Sequence, residues 1–281
     1  MMPTFIDDES KAEVDAYTKE CNDGAGPVVA CFSTAEYISL MQRDYDKVIQ
    51  LYENTCFRPA SDKSPNTVTM PDGTKSYPPA CFNLARFRLT GKGRTKFSQK
   101  DGYDLFDRAC VANHHGACHM QARMLSSSPG SFGDEVPYDP VKALDLFEHA
   151  CRDGADNASC FTAATVLLRG EFVKPEADNV SPGEAKGTED IQIREGEVDR
   201  RRNVKDKRVA IKRDPPRAES MLELACNRGH PSSCFNLAVM YNVGDDGVPK
   251  NSEKYAAYQK KTEEQIETFG GFGFGGGPTS G

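Results

Sequence analysis

The sequence contains no run of apolar residues approaching the roughly 18 to 20 that a membrane-spanning helix needs. Its longest candidates, such as Ala163–Leu168, are far shorter, and no membrane insertion is expected. It has no S-x-x-K motif, which removes the Ser–Lys nucleophile pair of acyl-transfer enzymes. It also has no C-x-x-C, the spacing at which a helix N-terminus activates a redox thiol. There is no tryptophan and no excess of positive charge: 35 Lys and Arg stand against 42 Asp and Glu, a net charge of -7. Nucleic-acid binding is therefore not expected, although a basic cluster runs from Arg200 to Arg208. Apolar residues make up only 38% of the chain, so part of it is expected to lie outside any core. Met1–Glu20 is acidic where a secretory or Arg-rich presequence would be apolar or basic, and neither is expected.

Against these absences stand ten cysteines among 281 residues, at 21, 31, 56, 81, 110, 118, 151, 160, 226 and 234. They fall into successive pairs, and the flanking residues recur. Y-D-L-F-D-R-A-C leads to Cys110, A-L-D-L-F-E-H-A-C to Cys151 and A-E-S-M-L-E-L-A-C to Cys226, while C-F-N-L-A follows both Cys81 and Cys234. Self-similarity of this kind marks a repeat array. The apolar positions Ala143, Leu144, Phe147 and Ala150 lie at i, i+1, i+4 and i+7, one face of a helix. Gly24, Gly116, Gly154 and Gly229 lie between the paired cysteines, where a helix end favours a left-handed residue.

The resulting expectation is an all-α, α/α solenoid of about five repeats over residues 8–268. Helices are predicted at 8–21, 31–43, 44–56, 81–91, 100–110, 118–127, 140–151, 160–169, 216–226, 234–243 and 252–268. Two insertions interrupt the array. Residues 57–80 form a turn-rich loop, and residues 173–215 form a charged segment expected to be disordered, acidic in its first part and basic in its second. Residues 269–281 are a Gly/Phe-rich tail, expected to be flexible.

Two pairings of the cysteines compete. Bridging within a repeat, as Cys31 to Cys56 and Cys81 to Cys110, strands Cys21 and Cys234. Bridging each helix corner, as Cys21–Cys31, Cys56–Cys81, Cys110–Cys118, Cys151–Cys160 and Cys226–Cys234, uses all ten and suits antiparallel helices joined by a tight turn. The corner pairing is favoured, each short loop contributing about 2.5 to 3 kcal/mol in the chain-entropy model. His114, His115 and His119 near Cys110 and Cys118 form a candidate metal or haem site. Because the same cysteine spacing recurs without intervening paired histidines, no metal or cofactor is expected there, with haem as the alternative.

The stretch C-F-N-L-A-x-x-Y at Cys234–Tyr241 and the pattern A-C-x2-G-x4-C resemble Sel1-like repeats of the cysteine-rich type, including bacterial proteins once labelled β-lactamase-like. The five cysteine pairs, T-G-K-G at Thr90–Gly93 and T-F-G at Thr268–Gly270 are similar to the animal cytochrome c oxidase assembly factors of this group. That resemblance implies a non-enzymatic, disulfide-stapled scaffold of the mitochondrial intermembrane space. It would support assembly of respiratory chain complexes, chiefly cytochrome c oxidase. The implied partners are respiratory-complex subunits or assembly factors and, during import, the disulfide relay of that compartment. A monomer is expected. The alternatives are a thiol–disulfide or haem-handling protein of the same compartment and, less favoured, a β-lactamase-like hydrolase.

Overall fold

A computed structural model of the chain describes residues 8–93, 96–172 and 209–269. An opening helix, α1 (Asp8–Cys21), is followed by five antiparallel helix pairs. The first helices of the pairs are α2 (Val28–Tyr37, continued by a π-turn at Ile38–Gln42), α4 (Pro78–Thr90), α6 (His115–Ser126), α8 (Asn157–Arg169) and α10 (Pro231–Val243). Their partners are α3 (Tyr45–Cys56), α5 (Gln99–Val111), α7 (Pro140–Arg152), α9 (Pro215–Asn227) and α11 (Ser252–Phe269). Each helix packs on its sequence neighbours, as expected of a solenoid.

The repeat is written in residue positions relative to the cysteines. Four residues before the first cysteine of a pair stand Tyr52, Phe106, Phe147 and Leu222, all 0–1% exposed. Four residues after the second stand Ala35, Ala85, Ala122, Ala164 and Ala238, also buried. Large ring or branched side chains and small alanines thus recur at fixed positions of the buried face, the size pairing that close-packed helices need. Ala163 is buried as well, but Ala164 is the one in register.

The first helix of each pair starts three residues before its cysteine, not at it. The starting residues are Val28, Pro78, His115, Asn157 and Pro231. Caps account for part of this: Asp156 accepts from the Ser159 N–H at 3.0 Å and His114 Nδ1 from the Ala117 N–H at 3.1 Å. Pro78 and Pro231 occupy the first turn, where a missing N–H costs nothing. The expected role of the corner glycines holds at Gly24 (φ +100°) and Gly229 (φ +85°). It fails at Gly116 and Gly154, because Asn113 (φ +64°) and Ala155 (φ +51°) take the left-handed turns there. Gly154 is glycine for another reason: a Cβ on it would lie 2.2 Å from His115 of the neighbouring repeat.

Both expected insertions are shorter than the sequence suggests. Within 57–80, β1 (Val68–Thr69) and β2 (Lys75–Ser76) form an antiparallel hairpin, Met70 and Ser76 are buried, and α4 starts at Pro78. The second insertion was expected to be disordered through residue 215. However, β4 (Val209–Ile211) pairs with β3 (Glu171–Phe172), Ile211 is buried, and Asp214 caps α9 from the residue before Pro215. Asp214 N–H donates to the Leu167 carbonyl at 2.9 Å and Arg213 joins Asp245 at 2.7 Å. These contacts close the two ends of the insertion together, so α9 stacks on α8 as if it followed directly. Residues 173–208, with the rest of that segment, and residues 270–281 of the tail lie outside the described residues.

Arg58 fastens the 57–80 segment to the first corner. Its guanidinium donates to the Gly24 and Gly26 carbonyls at 3.0 and 3.1 Å and to the Asp62 carboxylate. Burial raises the Asp62 carboxyl, but Arg58 and the Ser64 N–H outweigh it and hold it at about 2, below its ordinary 3.8. A depressed carboxyl contributes stability that is complete above its unfolded value of about 3.9 and lost as pH falls toward the folded one. Acidification from pH 4 to pH 2 is therefore expected to loosen this segment. Asp62→Asn is expected to remove that pH dependence, as read by hydrogen exchange at the Ser64 and Lys75 amides.

Candidate functional site

Two features have the geometry of a site: the cysteine corners and a ladder of side chains along the first helices of the pairs. At the corners the Sγ atoms of all five expected pairs lie at disulfide distance. The Cα–Cα separations are 4.5, 4.8, 4.7, 4.7 and 4.8 Å in chain order. The bridge joins the last turn of one helix to the first turn of the next, and no free cysteine is present. The cysteines are buried, Cys110 being the least so at 7% exposed.

The residues one and five past each second cysteine lie one helical turn apart and share a face. In chain order these are Phe32 and Glu36, Phe82 and Arg86, His119 and Arg123, Phe161 and Thr165, Phe235 and Val239. The cysteine and the alanine at the fourth position face the core, and this second pair lies along its edge: Phe32, Phe82 and Phe161 pack half-buried against the core, while Phe235 and Val239 are exposed. Chemistry changes along the ladder. Glu36 is taken up by the Tyr52 hydroxyl and by Asn83 at 2.7 Å, and burial followed by that carboxylate raises the Tyr52 hydroxyl pKa. Arg86 and Arg123 are exposed cations. The last two rungs carry no charge.

Between those rungs, α8 and α10 enclose a groove of about 520 Å³ lined by Phe161, Thr165, Leu168, Asn236, Val239, Met240 and Val243, with Arg169, Gly244 and Asp245 at one end. Phe235, Val239 and Val243, at i, i+4 and i+8, are 50, 43 and 61% exposed, an apolar stripe along its rim. A second groove, of about 630 Å³, lies among α3, α4 and α5. It is lined mainly by charged residues, among them the ion pair of Arg88 with Glu53 at 2.6 Å and Arg108 over the Phe57 ring at 4.9 Å. The first groove is the better docking surface, since its apolar rim gains most from being covered.

The three candidate histidines do not converge. His114 caps α6 and stacks on Phe82 at 4.6 Å, and burial lowers its pKa. His115 faces His149 of α7, ring centroids 5.2 Å apart. His119 points to α8, its Nδ1 2.8 Å from Ser159 Oγ and 3.2 Å from Asp156. Burial opposes ionisation of Asp156, but His119 and Ser159 prevail and lower its pKa. Among the described residues no helix is long and apolar enough to cross a membrane.

The Sel1 repeat model matches residues 78–114, 129–154, 208–230 and 231–258. Cytochrome c oxidase assembly factor 7 of Xenopus tropicalis is 26% identical over 83% of this chain and 78% of its own length. Its homolog in Drosophila melanogaster is 22% identical over 82% and 78%. Among solved structures, a Sel1 repeat protein from Oxalobacter formigenes superposes with a TM-score of 0.57 at 13% identity, covering 90% of this chain and 79% of that one. A protective antigen of uropathogenic Escherichia coli with the SLR fold also gives 0.57, at 16% identity. That match covers 90% of this chain, which spans only 41% of the antigen's length. Helix pairing, cysteine corners and these likenesses agree: the chain carries Sel1 repeats and has the fold of Sel1-repeat proteins.

Proposed function

We propose that the chain is an assembly factor for cytochrome c oxidase, a disulfide-stapled scaffold of the mitochondrial intermembrane space that acts by binding and not by catalysis. The observation that carries this reading is the likeness over four fifths of the chain to relatives named cytochrome c oxidase assembly factor 7. The compartment is supported by the cysteine corners. Five buried bridges suit an oxidising space, whereas the cytosol keeps thiols reduced. The groove between α8 and α10 is the face we assign to the client, an apolar segment of an oxidase subunit or of another assembly factor.

Two measurements test the proposal. Loss of the protein should lower assembled cytochrome c oxidase, and cross-linking in intact mitochondria should recover oxidase subunits or assembly factors. Val239→Asp with Val243→Asp places two charges on the groove rim and should cut that recovery at least fivefold, since burying an unpaired carboxylate costs several kcal/mol. Circular dichroism should be unchanged, because both side chains are exposed. Unaltered oxidase levels together with no recovered subunit or assembly factor would sink the proposal.

A further inference from the structure

We propose that the corner between α5 and α6 is a latent zinc site, made of His115, Cys118 and His149 and opened by reduction of the Cys110–Cys118 bridge. The three side chains come from one corner and the neighbouring helix. His115 opens α6, Cys118 follows it at i+3 on the same face, and His149 lies in the last turn of α7. Their ligand atoms all lie within 4.8 Å of one another. Bonds of about 2.0 Å to nitrogen and 2.3 Å to sulfur would draw tetrahedral ligands to separations of about 3.3 to 3.6 Å. The contraction of up to about 1.5 Å is within reach of side-chain torsions once Cys118 is released.

Two further observations point to a ligand. The His115 Nδ1 is buried and has no hydrogen-bond partner. An imidazole nitrogen left so costs about 1–3 kcal/mol, a cost that coordination would remove. Its ring is held in place by Gly154, where any Cβ would collide with it. His149 already has the outer partner typical of metal-bound imidazoles: its Nδ1 is 2.7 Å from the Asp153 carboxylate, which leaves Nε2 for a metal. No other corner has this set, since Val28, Pro78, Asn157 and Pro231 occupy the position of His115.

In the oxidised protein the site is closed, because a disulfide sulfur is a poor ligand and the thiolate is the binding form. Reduction by a dithiol supplies two electrons and two protons. The reductant becomes a disulfide, and Cys110 and Cys118 become thiols. On binding Zn²⁺ the Cys118 thiol gives up its proton to solvent, and water fills the fourth position. One sulfur with two imidazoles suits a borderline-soft cation of tetrahedral preference. The bound metal would then hold this one corner open against reoxidation, while the other four bridges are untouched.

The test uses full-length Cys110→Ser, in which the Cys118 thiol is permanently free, with Co²⁺ as the optical probe. One equivalent of Co²⁺ should produce a thiolate-to-cobalt band that Zn²⁺ abolishes, and the oxidised wild type should give none. Adding His115→Ala or His149→Ala should weaken binding at least tenfold. A folded Cys110→Ser protein without the band, or a band indifferent to both histidines, overturns the proposal. Should Cys110→Ser fail to fold, wild type reduced with a water-soluble phosphine decides the matter. Zn²⁺ should slow alkylation of Cys118 at least tenfold relative to Cys110, and equal alkylation with and without Zn²⁺ overturns the site.

Discussion

Replacing Cys56 and Cys81 together by alanine is expected to cost about 4 kcal/mol of stability, more than the loss of any other bridge. The bridge spans 25 residues, against 8 to 10 for the other four. In the chain-entropy model this length constrains the unfolded chain by about 3.5 kcal/mol, compared with about 2.5 for the shortest loops. The remainder comes from the folded side. Both sulfurs are fully buried, and the Ser76 hydroxyl beside Cys81, at 3.0 Å and also fully buried, loses its neighbour. Because repeats contact only their neighbours, the damage falls on one junction, where α3 meets α4. Urea unfolding followed by circular dichroism should therefore split into two phases, α1–α3 melting first. The matched control is Cys226→Ala with Cys234→Ala, which should cost about 1 kcal/mol less. Equal losses for the two variants would show that loop length does not set the contribution.

The sequence carried the fold in its cysteines and in the periodicity of the helices that precede them. Phe106, Phe147 and Leu222 could be read as core because each stands one turn before a cysteine, on the same face as the alanine that precedes it. The helices that follow were placed three residues late at each corner. Four of them open on Pro78, His115, Asn157 and Pro231, polar residues and prolines that carry no apolar period, so the cysteine looked like the start. The ordered ends of the second insertion were missed for a similar reason. Val209–Ile211 is too short for any periodicity, and its strand exists only because Glu171–Phe172 lies beside it.

The site was less legible than the fold. Three histidines within six positions suggested one cluster, yet a helix turns each residue by about 100°, and their neighbours lie on three different helices. His114 stands outside α6 as its cap, His115 faces His149 of α7, and His119 packs on Phe147 of α7 with its Nδ1 toward Ser159 of α8. His149 had no local signal at all, since only packing of α7 against α6 brings it to His115. The groove between α8 and α10 was latent in the recurring C-F-N-L-A stretch. The chain alternates a core alanine with an outward rung, and the rungs at Thr165 and Val239 lack the charge of Glu36, Arg86 and Arg123.

Phe147→Ala is the single substitution expected to do most damage to the array. The ring is fully buried at the centre of the solenoid and meets the His119 ring edge-on, centroids 5.4 Å apart. Truncation of a buried phenylalanine costs about 3–5 kcal/mol, from lost transfer energy and from the cavity that remains. Val141→Ala on the same helix, 48% exposed, should cost less than about 0.5 kcal/mol. The effect should also travel. With Phe147 gone, His119 loses the surface that aims its Nδ1 at Ser159 and Asp156, and Asp156 is the residue that caps α8. The Asp156 carboxyl, held below its ordinary value by His119 and Ser159 against the effect of burial, should then titrate higher. Above the unfolded carboxylate value of about 3.9, native Asp156 contributes stability that is lost as pH falls through its lowered folded value. The variant should lack that contribution and show a flatter acid limb. Carboxyl-detected NMR titration reads the first effect, and urea midpoints across pH 2 to 5 read the second. If Asp156 titrates unchanged in Phe147→Ala, then α6, not the core ring, positions His119, and the loss of stability is cavity formation alone.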